Sequence, residues 1–292
     1  MKPHQLNAFL AVAEHGSIRA AARVLFVSQP AVTRTVRELE AHLEVPLVVR
    51  GPGGIELTEY GKAFRVRARL LVEETQRARE ELLQIKRGMS GLVRIGISSM
   101  PAMVLLPQAF AQFRRQMPQA DLQCMDGQFP IGAPLLRSGE LDFLITQTYQ
   151  RIDEKDLSSE LLFTTPLTAA ARSTHPKLRV RSLAALQTEE WIGWERDMVS
   201  APFAQHGLAA PERILINRSL EVAQSLVEKT DLIGLFSLLL VEQKLAKHGI
   251  RPIRLRETLT PLEVRIVMRR DARLTPASAL FLEVLRTFAA KI

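Results

Sequence analysis

Residues 17–40, SIRAAARVLFVSQPAVTRTVRELE, constrain this chain more than any other stretch. They read as two short helices joined by a tight turn. Ala20, Ala21 and Ala22 are small enough for a second helix to pack closely on the first. Leu25, Phe26 and Val27 make an apolar corner. Ser28 starts the second helix, because its hydroxyl can accept from a free backbone N–H of the first turn. Pro30 falls in that turn, where a missing N–H costs little. Val32, Val36, Leu39 and Leu43 recur at helical spacing and predict a buried stripe. Gln29, Thr33, Arg34 and Arg37 occupy the other face. A short helix with an apolar back and a polar, basic front suits the DNA major groove. The solvated face of an ordinary helical domain fits the same periodicity.

Charge bears on that choice. The chain has 292 residues, room for two or three domains, and a net charge of +8 with a pI near 10.0, which favours anionic partners. The first 90 residues hold fourteen Lys and Arg against ten Asp and Glu, so half of the excess sits in under a third of the length. The single cysteine, Cys124, excludes an internal disulfide, and its place in the run 122–125 predicts a buried thiol. The N-terminus reads as an amphipathic helix without a cleavage-site pattern, and no apolar run is long enough to span a bilayer. The expected compartment is the cytoplasm.

Around the helix pair the chain is punctuated clearly. Residues 4–15 form a first helix, with Leu6, Phe9, Leu10 and Ala13 on one face; Gly16 ends it and Ser17 caps the next. After Leu43, Pro46, Pro52 and the glycines 51, 53 and 54 forbid a helix. Residues 47–49 and 55–57 read as two short strands around GPGG, a wing beside the helix pair. Glycines such as Gly53 expose bare N–H groups at its tip, and Arg50 adds a phosphate contact. Thr58 opens the longest helix, running to about Lys86. Tyr60, Phe64, Ala68, Leu71, Thr75, Ala78, Leu82 and Ile85 give a near-heptad seam along roughly 40 Å. A lone helix of that length exposes its apolar edge, so a second chain is expected on it; packing within its own chain is the other reading.

Residues 88–91 form a flexible joint. Beyond it strands and helices alternate: strands at 92–97, 122–125 and 142–146 with helices at 101–116 and 131–138, then strands at 167–172, 191–194, 214–217 and 233–236 with helices near 183–186, at 220–229 and at 237–247. A strand at 264–268 and a helix at 276–290 close the chain. This order predicts parallel sheets wrapped by helices, in two lobes around a cleft. The first lobe takes residues 92–163 and 264–292, the second 164–263. Ligands of such sheets bind beyond the carboxyl ends of strands. Those ends supply Ser98, Ser99 and Met100, then Gln128, Phe129 and Pro130, then Thr146 and Gln147; the second lobe offers Trp194, Arg196, Arg218 and Ser219. They suit a small carboxylate or sulfonate, such as one carried on a ring. Each hydroxyl is equally well read as a helix cap. Catalysis has no support: Ser98-Ser99 is not in a G-x-S-x-G elbow, the six histidines show no metal-ligand spacing, and there is no Walker loop or GxGxxG after a strand. No cofactor is expected.

The helix pair with Ser28-Gln29-Pro30-Ala31, the wing from Leu47 to Thr58 with Tyr60-Gly61 after it, and Leu141-Asp142-Phe143-Leu144-Ile145 together resemble the LysR-type transcriptional regulators over essentially the whole chain. The resemblance implies an α/β protein with a winged helix-turn-helix (1–58), a linker and dimerisation helix (59–87), a hinge (88–91) and a two-lobed effector-binding domain of the periplasmic-binding-protein type (92–292). It implies homotetramers built through antiparallel linker helices, interrupted palindromic sites on double-stranded DNA, a small-molecule co-inducer in the cleft and contact with RNA polymerase. Gln29, Pro30, Thr33 and Arg34 then face the bases, Arg37, Arg50 and Gly53 the backbone, and Ser28 belongs to the same DNA-binding set at the start of the helix. Segment 126–143 is similar to regulators of aromatic acid or sulfonate degradation. Two departures stand out. The family often carries a second basic residue in the wing, where this chain has Pro52-Gly53-Gly54, and some members have an arginine where this chain has Thr146-Gln147. A small-molecule binding protein whose first domain serves assembly alone is the alternative reading.

Overall fold

A computed structural model of the chain describes residues 1–51, 54–87, 90–149 and 152–292, with backbone alone for 84–87. Gly53 and the side chain of Ile85 lie outside the described residues, as do positions 88 and 89 of the expected joint.

Helix α1 (Pro3–His15) ends at Gly16 in left-handed backbone. Ser17 accepts from the Ala20 N–H to start α2 (Ile18–Val24), and Ser28 accepts from the Ala31 N–H to start α3 (Gln29–Leu43). Val32 and Val36 close on Ala8, Ala11, Val12, Ala21 and Ala22, while Leu39 packs with Leu6, Phe9 and Leu47. The expected apolar corner is corrected. Leu25 packs on this core, but Phe26 is 95% exposed and Val27 is exposed too. The turn between the helices is so tight that Phe26 takes φ +55°, which throws its ring outward.

Strands β1 (Val48–Gly51) and β2 (Gly54–Leu57) pair antiparallel as the wing. The Glu40 carboxylate of α3 accepts from the N–H groups of Leu47 and Val48, at 2.7 and 3.1 Å, and Ile55 N–H donates to the Gly16 carbonyl. The wing is therefore fixed to α3 and to the end of α1. Helix α4 (Glu59–Arg87) follows, its first turn held by the Thr58 hydroxyl, which accepts from Gly61 N–H and donates to the Pro46 carbonyl. The seam divides. Phe64 stacks 5.4 Å from Phe9 and Ala68 is fully buried on the head, so these two pack within the chain. Tyr60, Leu71, Ala78 and Leu82 stay exposed.

The rest folds around two five-stranded sheets. β3 (Ser90–Ile97) starts earlier than expected, with Ser90 paired to Gln119, so Ser90 and Gly91 are strand rather than joint. The expected helix 101–116 is two, α5 (Ser99–Val104) and α6 (Leu106–Gln116), broken at Leu105. Pro107 lacks the N–H that would continue α5, and its ring would meet a carbonyl one turn earlier. β4 (Gln119–Asp126), α7 (Phe129–Arg137), β5 (Phe143–Thr148) and β6 (Leu157–Thr165) complete the outward run. The second lobe contains β7 (Leu167–Arg172), β8 (Trp191–Gly193), α8 (Arg196–Gln205), β9 (Ile214–Ile216), α9 (Leu220–Lys229), β10 (Ile233–Ser237), α10 (Leu238–Gln243) and β11 (Ile250–Pro252). A 3₁₀ turn at Leu183–Leu186 replaces the helix expected there, and another at Leu245–His248 shortens the helix expected over 237–247. β12 (Leu262–Arg269) returns to the first sheet and α11 (Pro276–Ala289) covers it.

The sheet orders are β4-β3-β5-β12-β6 and β11-β7-β10-β8-β9. Both are mixed rather than parallel: β12 runs against β5 and β6, and β7 against β10 and β11. The cause in the first sheet is the crossover itself. The chain leaves along β6 and comes back beside it along β12, with Leu262 opposite Thr165. Cys124 is corrected as well: β4 is an edge strand, and the thiol is exposed.

The junction of wing and linker leaves no room at Gly61, where an added Cβ would stand 2.0 Å from the Leu47 carbonyl oxygen. Gly61→Ala should therefore lower stability by about 1–3 kcal/mol or more, read as a lower denaturation midpoint; an unchanged midpoint would contradict this close docking.

Candidate DNA interface and effector cleft

The head presents one open groove of about 1450 Å³, walled by α2, α3 and β1. Ser28, Gln29 and Pro30 stand at its α3 end, Thr33, Arg34 and Arg37 continue along the same face, and Arg50 reaches it from the wing. Every head residue expected at the interface thus lines this groove, apart from Gly53. Arg19 and Arg23 of α2 line it too and were not anticipated. Their spacing of four puts both on one face of α2, and that signal is present in the sequence. Five arginines face one acidic residue, Glu38, which holds the exposed Arg34 guanidinium at 2.9 Å. An ion pair so exposed contributes little and yields readily to a stronger anion. The basic wall, the polar face of α3 and the wing fit a large polyanion.

The second concavity lies between the lobes, at the carboxyl ends of β3, β5, β8, β9 and β10. Four of the expected residues line it: Ser99, Met100, Gln147 and Trp194. Tyr149, Met198, Asn217, Leu220, Phe236, Ser237, Leu240 and Leu262 join them. Tyr149, Asn217 and Ser237 sit at the ends of β5, β9 and β10, so the strand-end rule reaches them once those strands are bounded correctly. Burial pushes the Tyr149 phenol well above its ordinary pKa, although the residue as a whole is 38% exposed. The side-chain oxygen of Gln147 is buried without a hydrogen-bond partner among the described residues.

The remaining expected residues lie elsewhere. Ser98 is fully buried, where its hydroxyl accepts from Gln147 N–H at 3.2 Å and ties the ends of β3 and β5 together. Thr146 is fully buried outside the cleft lining, its hydroxyl without a hydrogen-bond partner among the described residues. Gln128, Phe129 and Pro130 open α7 outside the cleft lining; Gln128 N–H is held by Asp126, and Phe129 packs on the cluster of Leu136 and Leu141. Arg196 is exposed at the start of α8, and Arg218 is exposed 3.8 Å from Glu195. Ser219 caps α9 through the Val222 N–H and donates to Glu221. No charged side chain lines the cleft among the described residues. Its volume is about 40 Å³, room for a few waters, whereas small-molecule sites run to about 300–1,000 Å³. Met100 and Leu240 belong to one apolar cluster that spans both lobes, which accounts for this closure.

Comparison with known proteins agrees with both halves. Residues 3–62 match the bacterial regulatory helix-turn-helix of the lysR family, and residues 86–290 match the LysR substrate binding domain. The transcriptional regulator GbpR of Azospirillum brasilense is 29% identical over 245 residues, 81% of this chain and 72% of that protein. The crystal structure of CbnR, a LysR family transcriptional regulator, superposes with a TM-score of 0.71 over 99% of both chains at 23% identity. Full-length CbnR in complex with its target DNA superposes at 0.70, covering 98% of this chain and 99% of that one, also at 23% identity. With the head and the two-lobed half each matched in order along one chain, the protein belongs to the LysR family of DNA-binding transcriptional regulators, its second half being the family's effector-binding domain.

Proposed function

We propose that the groove of the head reads promoter DNA and that the cleft between the lobes takes the co-inducer. The observation that carries the first part is the gathering of Arg19, Arg23, Arg34, Arg37 and Arg50 on the same concave face as the start of α3. Gln29, Pro30, Thr33 and Arg34 meet base edges as α3 enters the major groove. Arg37 and Arg50 hold phosphates, and so do Arg19 and Arg23, which offset the charge the wing lacks. Arg34 exchanges Glu38 for the DNA on binding. The exposed strip of Tyr60, Leu71, Ala78 and Leu82 on α4 meets a second chain, and two such dimers form the tetramer on an interrupted palindrome. Regulation then proceeds through DNA bending and contact with RNA polymerase in the cytoplasm. No catalytic step is assigned to the cleft.

For the cleft we propose a small organic or aromatic acid. Trp194 and Phe236 supply apolar faces, and Ser99, Gln147 and Tyr149 supply hydrogen bonds. A carboxylate would be held there by neutral donors rather than by an ion pair. A ligand of that size requires the lobes to part, so binding selects a more open arrangement.

Two outcomes follow. Arg34→Ala should lose about 1–3 kcal/mol of discrimination against altered promoter bases, measured by mobility shift on the chain's own upstream DNA; full discrimination in the variant contradicts the role of Arg34, and absence of any specific binding by the parent favours an assembly domain that does not read DNA. In a thermal-shift screen of aromatic and aliphatic acids, an effector at a hundredfold its Kd should stabilise the protein by about 2.7 kcal/mol. Gln147→Leu should remove that response while stabilising the free protein by about 1–3 kcal/mol, since an unpartnered buried acceptor is gone; a variant that keeps the full response contradicts the assignment of the cleft.

A further inference from the structure

The turn that joins α2 to α3 carries a residue that lowers the stability of the fold. Helix α2 ends with Val27 N–H donating to the Ala22 carbonyl at 3.0 Å and Phe26 N–H donating to the Arg23 carbonyl at 3.3 Å. This is the pairing of a Schellman motif, in which the residue after the cap takes left-handed backbone and is usually glycine, sometimes asparagine. Here it is Phe26, at φ +55°. A side chain in that conformation crowds its own backbone, and a bulky one does so more than asparagine. Packing gives nothing back. The residue is 95% exposed, while Leu25 beside it supplies the apolar contact with the core. Phe26 is thus unfavourable twice, as strained backbone and as an aromatic ring left in water.

The position of the turn gives the ring a use. Val24 and Val27, on either side in the chain, are exposed as well, so apolar surface gathers at this corner of the head. Arg23, Val27 and Ser28 all line the arginine groove, which places Phe26 at its rim. When a recognition helix enters a major groove by its N-terminal end, the turn ahead of it comes to the groove wall that the preceding helix crosses. That wall is not all charge: deoxyribose carbons and thymine methyl groups are its apolar parts. A protein seated on Phe26 would also crowd Val27 and the start of α3, which bound DNA has to reach. Duplex DNA covers arginines and ring together.

We propose that Phe26 is a DNA-contacting residue, whose ring packs on deoxyribose or thymine methyl carbon at the edge of the groove that α3 enters. The contact carries no charge, so it adds to the arginines a term that salt does not screen. It rests on the reading of the arginine-lined groove as the DNA surface.

The test sets stability against binding in the full chain. Phe26→Asn should raise the thermal midpoint, since asparagine tolerates the left-handed turn and leaves no ring in water. The same variant should weaken binding to the chain's own upstream DNA by about tenfold, the scale for losing a ring half covered by its partner. The salt slope should stay as it is, because no phosphate loses its cation. Phe26→Leu, apolar on the same backbone, should keep most of the affinity. On DNA with uracil in place of thymine, a loss that persists assigns the ring to deoxyribose, and one that disappears assigns it to the thymine methyl group. A midpoint lowered by Phe26→Asn, or failure of that variant to fold, makes the ring a structural residue and overturns the proposal. Full affinity in Phe26→Asn overturns it too. Arg34→Ala then separates the causes: weakened specific binding leaves the groove reading standing, and unchanged binding removes both. A loss confined to probes long enough for two bound assemblies, and absent on a single footprint, puts the ring between protein copies and also overturns the contact with DNA.

Discussion

A 29-residue helix must be covered along much of its length, and the way α4 is covered arranges everything else. Its first turns are covered by the head, through Phe64 against Phe9 and the buried Ala68. Its charged flank, with Glu74, Arg77 and Glu80, lies on the first lobe. A strip that includes Leu71, Ala78 and Leu82 stays exposed. One helix thus has three different surfaces, two satisfied within the chain and one exposed.

The arginine-lined groove of the head follows from local rules applied to a short stretch. Ser17 and Ser28 cap, Pro30 sits in the first turn, and Val32, Val36 and Leu39 bury, so the polar residues of α3 have nowhere to point but outward. The Glu40 carboxylate then fixes the wing beside them. This part was legible in the sequence because each device acts within one turn of helix or across one tight junction. Arg19 and Arg23 were legible in principle, since spacing alone puts them on one face. Phe26 was not, because hydrophobicity argues for burial and the left-handed turn that expels it is a property of the junction.

The cleft was less legible for a different reason. Its position follows from strand ends, but which residue of each end faces inward depends on where the strand stops. Ser98 and Thr146 were expected at the ligand and lie buried outside the cleft lining, Ser98 tying β3 to β5, while Tyr149, slightly further on, lines the space. The strand expected at 264–268 is there as β12, but β6 was missed together with its pairing to β12 across about a hundred residues, since no local pattern announces that the two crossing segments lie side by side. The buried ion pair of Arg77 on α4 and Asp142, 2.8 Å apart, is the extreme case. Periodicity assigns charged helix positions to solvent, and only the packed structure reveals that one of them is enclosed. The closed cleft adds a thermodynamic condition, since an effector shifts this arrangement only by as much as it prefers the parted lobes.

The central claim is that the arginine-lined groove is the surface that meets DNA, with α2 supplying charge the wing lacks. The salt dependence of binding to the chain's own upstream DNA tests it most directly. The account predicts that log Kobs falls steeply with log[salt], and that Arg19→Ala and Arg23→Ala each make the slope shallower by about 0.9 for every phosphate left without its arginine. Binding that is insensitive to salt, or a slope left unchanged by both substitutions, would contradict it.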